Sequence, residues 1–189
     1  MFRFARYLEN FSVILKDKKI KQIQIEWMDL NSEIRHGEKK NYDVTLPIYK
    51  DVLPHIFSIL ATLNLPLPTE LQTVHWNEKK TGIEIYCHGL GLEYKFILTR
   101  EGFERKRMIR VETNSEVLKL DFSLEPGLIE NGKTKVSADK GWNDRMRPLA
   151  TMLTTFLNSI SENNLDTRFA LSFALSVNEF ADRIENFSR

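Results

Sequence analysis

Apolar residues near the start of the chain recur at helical spacing. Phe4, Tyr7, Leu8, Phe11 and Leu15 fall at three- and four-residue steps, one stripe of an amphipathic helix. The polar run Lys16-Asp-Lys-Lys19 predicts its end. The period then changes to two. Ile20, Gln22, Gln24 and Glu26 alternate with Lys21, Ile23, Ile25 and Trp27, which predicts a strand with one buried face. From Asn31 to Tyr42 the chain is charged and aperiodic around Gly37, the pattern of a loop. A second helix is expected from about Asp51 to Leu63, with Val52, Ile56, Ile59, Leu60 and Leu63 as its apolar set. Pro54 fits such a helix in its first turn, where the N–H has no partner to lose. Leu65-Pro-Leu-Pro68 stops the helix and enforces extended backbone.

The middle of the chain reads as strands: Leu71 to Trp76, Gly82 to His88, Leu92 to Thr99, Lys106 to Thr113 and Val117 to Ser123. Short turns separate them, including Gly89-Leu-Gly91, and connections this short are expected to join antiparallel neighbours. Leu118, Leu120, Phe122 and Leu124 alternate with Lys119, Asp121 and Ser123, so one face of that strand is wet or covered from outside the chain. Two helices follow. Pro148 opens the first, whose expected inner face is Leu149, Met152, Leu153, Phe156, Leu157 and Ile160. Phe169, Phe173, Val177, Phe180, Ile184 and Phe187 mark the second. The pattern predicts a single α+β domain over 1–189, a mostly antiparallel open β-sheet with helices packed on one face.

Composition changes this picture little. Hydrophobic residues make up 42% and charged residues 28%, an ordinary globular balance. A net charge of +1 gives no global field to gather nucleic acid or an acidic membrane. The basic run Arg105-Lys-Arg107 is too short to alter that. No stretch reaches the roughly 18 to 20 apolar residues of a membrane span. Cys87 is the only cysteine, which excludes an intrachain disulfide and suits a reducing compartment. The opening Met1-Phe-Arg-Phe-Ala-Arg6 is unlike a secretory signal, so a cytoplasmic location is expected.

The candidate chemistry centres on Asp51-Val-Leu-Pro-His55, a carboxylate and an imidazole four residues apart on one helix face. An imidazole titrating near neutral pH suits proton exchange with a substrate hydroxyl. Two plainer roles stand beside this one: Asp51 as the helix N-cap, and His55 as a helix-face histidine with a satisfied hydrogen bond. Tyr42, Tyr49 and Lys50 flank the pair and are candidates for binding substrate hydroxyls. Trp142, Arg145 and Arg147 form a second candidate cluster, since arginine grips carboxylates and phosphates in a paired fashion. An ion pair at the helix start is their plainer role. His36, His75 and His88 have no metal-ligand spacing, and Glu84, Glu93 and Glu104 read as solvent-facing.

The order of elements resembles the C-terminal domain of the glucose–fructose oxidoreductase and inositol dehydrogenase (Gfo/Idh/MocA) family. The landmarks are Arg3 to Tyr7 with its helix, the strand ending Glu26-Trp27-Met28-Asp29, the Asp51…His55 helix start and the β-meander. Gly141-Trp142, Arg147-Pro148-Leu149, Met152-Leu153 and Phe156-Leu157 complete them. The resemblance implies half of a two-domain NAD(P)-dependent oxidoreductase acting on a sugar, sugar nucleotide or polyol. A Rossmann domain holds the cofactor, and the C-terminal domain supplies the substrate site and an oligomer interface through its sheet face. In the family's Asp-x-Gly-x-His pattern the acid and histidine lie beside the substrate hydroxyl. Asp51 and His55 match, while Leu53 stands where the family has glycine and would narrow the approach to the site. Gly89-Leu-Gly91 lacks the third glycine and the helix of a dinucleotide fingerprint, and reads as a hairpin turn. The Rossmann domain and a Glu-Lys-Pro segment are expected upstream of Met1. The chain alone is therefore expected to hold no NAD(P) and to be inactive. The rival reading is a non-catalytic assembly or ligand-binding module.

Overall fold

The computed structural model describes residues 1–30, 32–35, 37–39, 45–143, 145 and 147–187. A 3₁₀ turn, Phe2–Phe4, buries both phenylalanines and leads into α1, Arg6–Leu15, whose buried stripe is Tyr7, Leu8, Phe11 and Leu15. Strand β1, Ile20–Leu30, follows. Within the expected loop, β2 (Ile34–Arg35) and β3 (Glu38–Lys39) form a minimal hairpin around Gly37. Helix α2 spans Ile48–Thr62. The meander then runs through β4 (Glu70–Trp76), β5 (Gly82–Gly89), β6 (Leu92–Gly102), β7 (Lys106–Thr113) and β8 (Val117–Asp121). A hairpin that the polar, glycine-bearing sequence did not announce, β9 (Leu128–Asn131) and β10 (Thr134–Ser137), extends the sheet. Helices α3 (Pro148–Ser161) and α4 (Leu171–Phe187) end the described chain.

The expected α+β architecture is present: one eight-stranded sheet in the order β10-β9-β8-β7-β1-β6-β5-β4. Its centre differs from the expectation for short connections. The turn from β6 to β7 does not join sheet neighbours, because β1 lies between them, parallel to β6 and antiparallel to β7. At that end Gly102 pairs with Leu30 after a register shift, and the glycine's missing side chain leaves room beside the Asp29 carbonyl. The chain can therefore step across the end of β1. The expected Gly89-Leu-Gly91 hairpin turn joins β5 to β6, with Leu90 and Gly91 both at positive φ, 48° and 80°.

Alternation sorts the two faces of the sheet. Ile23, Ile25 and Trp27 on β1, Phe96 and Leu98 on β6, and Ile109 and Val111 on β7 enter one core with α1, α2 and α4. Phe57 of α2 meets Phe180 of α4 edge to face at 5.4 Å. The opposite parity is polar and laced with cross-strand pairs, Lys106 to Glu26 at 2.6 Å and Lys95 to Glu84 at 2.9 Å.

Two helix expectations are corrected. Helix α2 begins at Ile48, with Pro47 as the N-cap, so Asp51 lies inside the first turn and Pro54 inside the helix. Pro47 supplies the start: its φ of −56° and ψ of 141° turn the chain, and Lys50 and Asp51 donate to its carbonyl. Helix α3 does not bury its apolar stripe. Leu149, Leu153, Phe156, Leu157 and Ile160 are all exposed, and Met152 is only half-buried. The sheet's helix-side face is already filled by α1, α2 and α4. On α4, Val177, Phe180 and Ile184 are buried, but Leu171, Leu175 and Phe187 are exposed, and Phe169 belongs to a 3₁₀ turn before the helix.

Candidate functional site

Antiparallel register places Trp27 of β1 directly opposite Arg107 of β7. Both point to the helix side, as does Asp29, two residues beyond Trp27. Arg107 and Asp29 form an ion pair with side chains only 4% and 5% exposed. The guanidinium also donates to the Met28 and Lys106 carbonyls, at 2.5 and 2.8 Å. It lies over the Trp27 ring, its central carbon 3.8 Å from the centroid. These contacts offset part of the desolvation cost of the buried pair. The His55 imidazole of α2 also stacks on Trp27, with centroids 5.1 Å apart and planes 11° from parallel. Phe2 closes over His55 edge-on at 5.5 Å.

His55 is half-buried. Among the described residues its ring is held by these aromatic contacts, and no hydrogen bond engages either nitrogen. Burial lowers its pKa from the ordinary 6.5. The Asp51 carboxylate opposes that shift, the amino terminus at Met1 and Arg107 add to it, and Asp29 opposes it. Neutral imidazole therefore dominates at pH 7, the form that accepts a proton. Asp51, though on the same face of α2, accepts from Arg100 Nη2 at 3.2 Å. Its influence on the imidazole is through space.

Phe2 and Arg107 are shared between this stack and a cleft of about 500 Å³. Around its mouth stand Tyr7, Arg105, Phe122, Glu125, Trp142 and Arg147. Tyr7 donates its hydroxyl to Glu125 at 3.3 Å, and burial followed by the Glu125 charge pushes the phenol pKa up. Trp142 packs against Tyr7 at 6.0 Å, with ring planes 66° apart. Aromatic walls combined with planar arginine and carboxylate edges are the chemistry of hydroxyl-rich ligands. His55 thus lies one ring behind the cleft wall.

The structure divides the candidate residues. Trp142 and Arg147 reach the cleft, while Arg145 is exposed and outside its lining. Tyr49 is buried against Trp76, ring centroids 5.9 Å apart, and Lys50 pairs with Glu185 of α4 at 2.7 Å, so neither faces the cleft. Tyr42 lies outside the described residues, as does His36. Leu53 does not narrow any approach: its side chain is fully buried in the core. No group of three or more His, Cys, Asp or Glu among the described residues is placed to hold a metal ion. Nor is any described helix long and apolar enough to cross a membrane. Sequence reasoning missed Asp29 and Arg107. Their signal was parity, since each falls on the inward register of an alternating strand where a charge is unexpected.

No protein-family model matches the sequence. No curated relative matches it either. Solved structures do. A dehydrogenase from Clostridium difficile superposes with a TM-score of 0.68 at 14% identity, covering 97% of this chain and 60% of its own. The fold is that of these oxidoreductases. A UDP-N-acetylglucosamine 3-dehydrogenase from Acidithiobacillus ferrooxidans gives 0.59 at 16% identity, over 93% of this chain and 58% of its own. A 3-ketoreductase from Actinomadura kijaniata in complex with NADP gives 0.56 at 9% identity, over 87% and 54%. The fold implied by the resemblance to the glucose–fructose oxidoreductase and inositol dehydrogenase family is therefore present. The chain spans about 60% of the length of the structure from Clostridium difficile and somewhat less of the other two.

Proposed function

We propose that this chain is the substrate-binding and oligomerisation domain of an NAD(P)-dependent oxidoreductase acting on a hydroxyl of a sugar, sugar nucleotide or polyol. The observation that carries the reading is His55. It is an imidazole kept neutral by burial, held by rings rather than by hydrogen bonds, directly behind an aromatic cleft edged by arginines and a carboxylate. It would accept the hydroxyl proton, and a nicotinamide held by the full-length protein would supply the redox chemistry when bound. Asp51 favours the imidazolium that results. Trp142 and Arg147 hold the substrate from the cleft side.

The nicotinamide belongs to a Rossmann domain outside this sequence. The exposed stripe Leu149, Leu153, Phe156, Leu157 and Ile160 on α3 supports such a partner, since an apolar helix face of this kind is stable in water only when covered. The polar face of the sheet remains the proposed contact between copies of the chain, and a cytoplasmic location fits the reading. The test is reduced-nicotinamide formation by the protein joined to its nucleotide-binding domain, over a panel of sugars and nucleotide sugars. A His55→Ala change that leaves turnover intact refutes the assignment. So does tight NAD(P) binding by this chain alone, measured by calorimetry.

A further inference from the structure

We propose that Arg107, locked by Asp29 and packed on Trp27, is a positioning residue for His55: guanidinium, indole and imidazole in series fix the plane and the charge state of the ring that lies behind the cleft wall. The inference rests on the proton-accepting role of His55 proposed above. Its own basis is geometric. Three groups from three elements meet at one indole: the Arg107 guanidinium of β7 lies 3.8 Å from the ring centre of Trp27 on β1, and the His55 ring of α2 stacks on Trp27 at 5.1 Å and 11°. Phe2 packs edge-on against both rings, 5.8 Å from Trp27 and 5.5 Å from His55, and holds the pair from the flank. Arg107 cannot drift, because it is tied to Asp29 and to the Met28 and Lys106 carbonyls.

A buried pair is an expensive way to support one indole, and an apolar pair of similar volume would pack as well or better. What the charged pair adds is a field at the imidazole. The charged groups that act on His55 are Asp51 on its own helix, the amino terminus at Met1, Arg107 and Asp29. Arg107 opposes the imidazolium and Asp29 favours it. The two lie together with opposite sign, so removing one at a time must push the imidazole in opposite directions.

The experiment follows the His55 ring protons by NMR as a function of pH in this chain and in Arg107→Gln, Asp29→Asn and the double variant. Glutamine and asparagine keep planar amides that can still bond each other, and the double variant carries no unpaired charge if a single variant fails to fold. Arg107→Gln is expected to raise the His55 titration midpoint by about half a pH unit, and Asp29→Asn to lower it by about as much. The double variant is expected to return close to the parent. Midpoints that do not move, or that move the same way in both single variants, overturn the proposal, because loosening or water entry would shift both alike. In the enzyme joined to its nucleotide-binding domain, the acid limb of the kcat–pH profile should track these midpoints with KM unchanged. Midpoints that shift while that limb stays put support the positioning role but refute His55 as the proton acceptor.

Discussion

Arg6 and Asp139 offer a test of which partner in an ion pair carries the energetic burden. Arg6 on α1 donates from Nε at 2.7 Å, and from Nη2, to the two oxygens of Asp139. The Gly141 N–H adds a third donor at 3.0 Å. The side chains are unequally placed: Arg6 is 40% exposed and Asp139 only 3%. Removing the arginine leaves a shielded carboxylate with one backbone donor, so the larger loss of stability is expected from Arg6→Ala. Asp139→Asn leaves an arginine that water can reach and an amide oxygen that still accepts from Gly141. About 1 to 1.5 kcal/mol is expected there, the ordinary scale of a lost charge-assisted bond. The pH dependence has a definite sign. The Arg6 hydrogen bond holds Asp139 below its ordinary 3.8, so its contribution is present above that value and is lost as pH falls through the folded-state value. Urea titrations at pH 7 and near pH 3 should therefore show the gap between parent and Arg6→Ala narrowing in acid. If Asp139→Asn costs as much as Arg6→Ala at pH 7, unequal burial is not what sets the cost.

Three further outcomes are expected. Leu90 is 89% exposed at a φ of 48°, so Leu90→Asn should stabilise by about 0.5 to 1 kcal/mol in thermal melts, because asparagine tolerates that turn geometry at little cost. His55 is held below its ordinary value, so the unfolded chain binds the extra proton first. Stability should then decline as pH drops below about 6.5, and His55→Phe should flatten that slope in denaturant midpoints recorded across pH. Leu153→Lys with Leu157→Lys should leave Tm within about 1 °C, since both sites are solvent-facing in this chain. The same pair of changes should abolish association with the nucleotide-binding domain, read by size-exclusion chromatography.

Periodicity carried the fold a long way because alternation and the helical stripe are set by the same core they fill. The strand from Ile20, the meander and the buried Val177, Phe180 and Ile184 of α4 were readable for that reason. Two things were not. An apolar stripe does not say whether the chain itself covers it, so α3 read as inward-facing although its stripe is exposed among the described residues. Pairing order is also invisible to local pattern, and nothing in the residues of β6 and β7 reports that another strand separates them. The site was legible in part. The structure places His55 behind, and Trp142 with Arg147 along, one cleft, while Tyr49 and Lys50 turn to other partners, because proximity in sequence to a helix start says nothing of which face they take. Asp29 and Arg107 were within reach of a stricter reading, since a charge at an inward β position needs a buried counterpart.

Where β1 sits has a consequence for how the molecule comes into being. Gln22 takes Glu93 on one side and Glu112 on the other as its ladder neighbours, so the middle of the sheet is stitched from segments far apart in sequence. High contact order of this kind slows folding, because long loops must close before any strand pairing rewards them. A nascent chain leaving the ribosome must hold β1 unpaired until β6, Leu92–Gly102, has emerged, and Ile23, Ile25 and Trp27 stay uncovered during the wait.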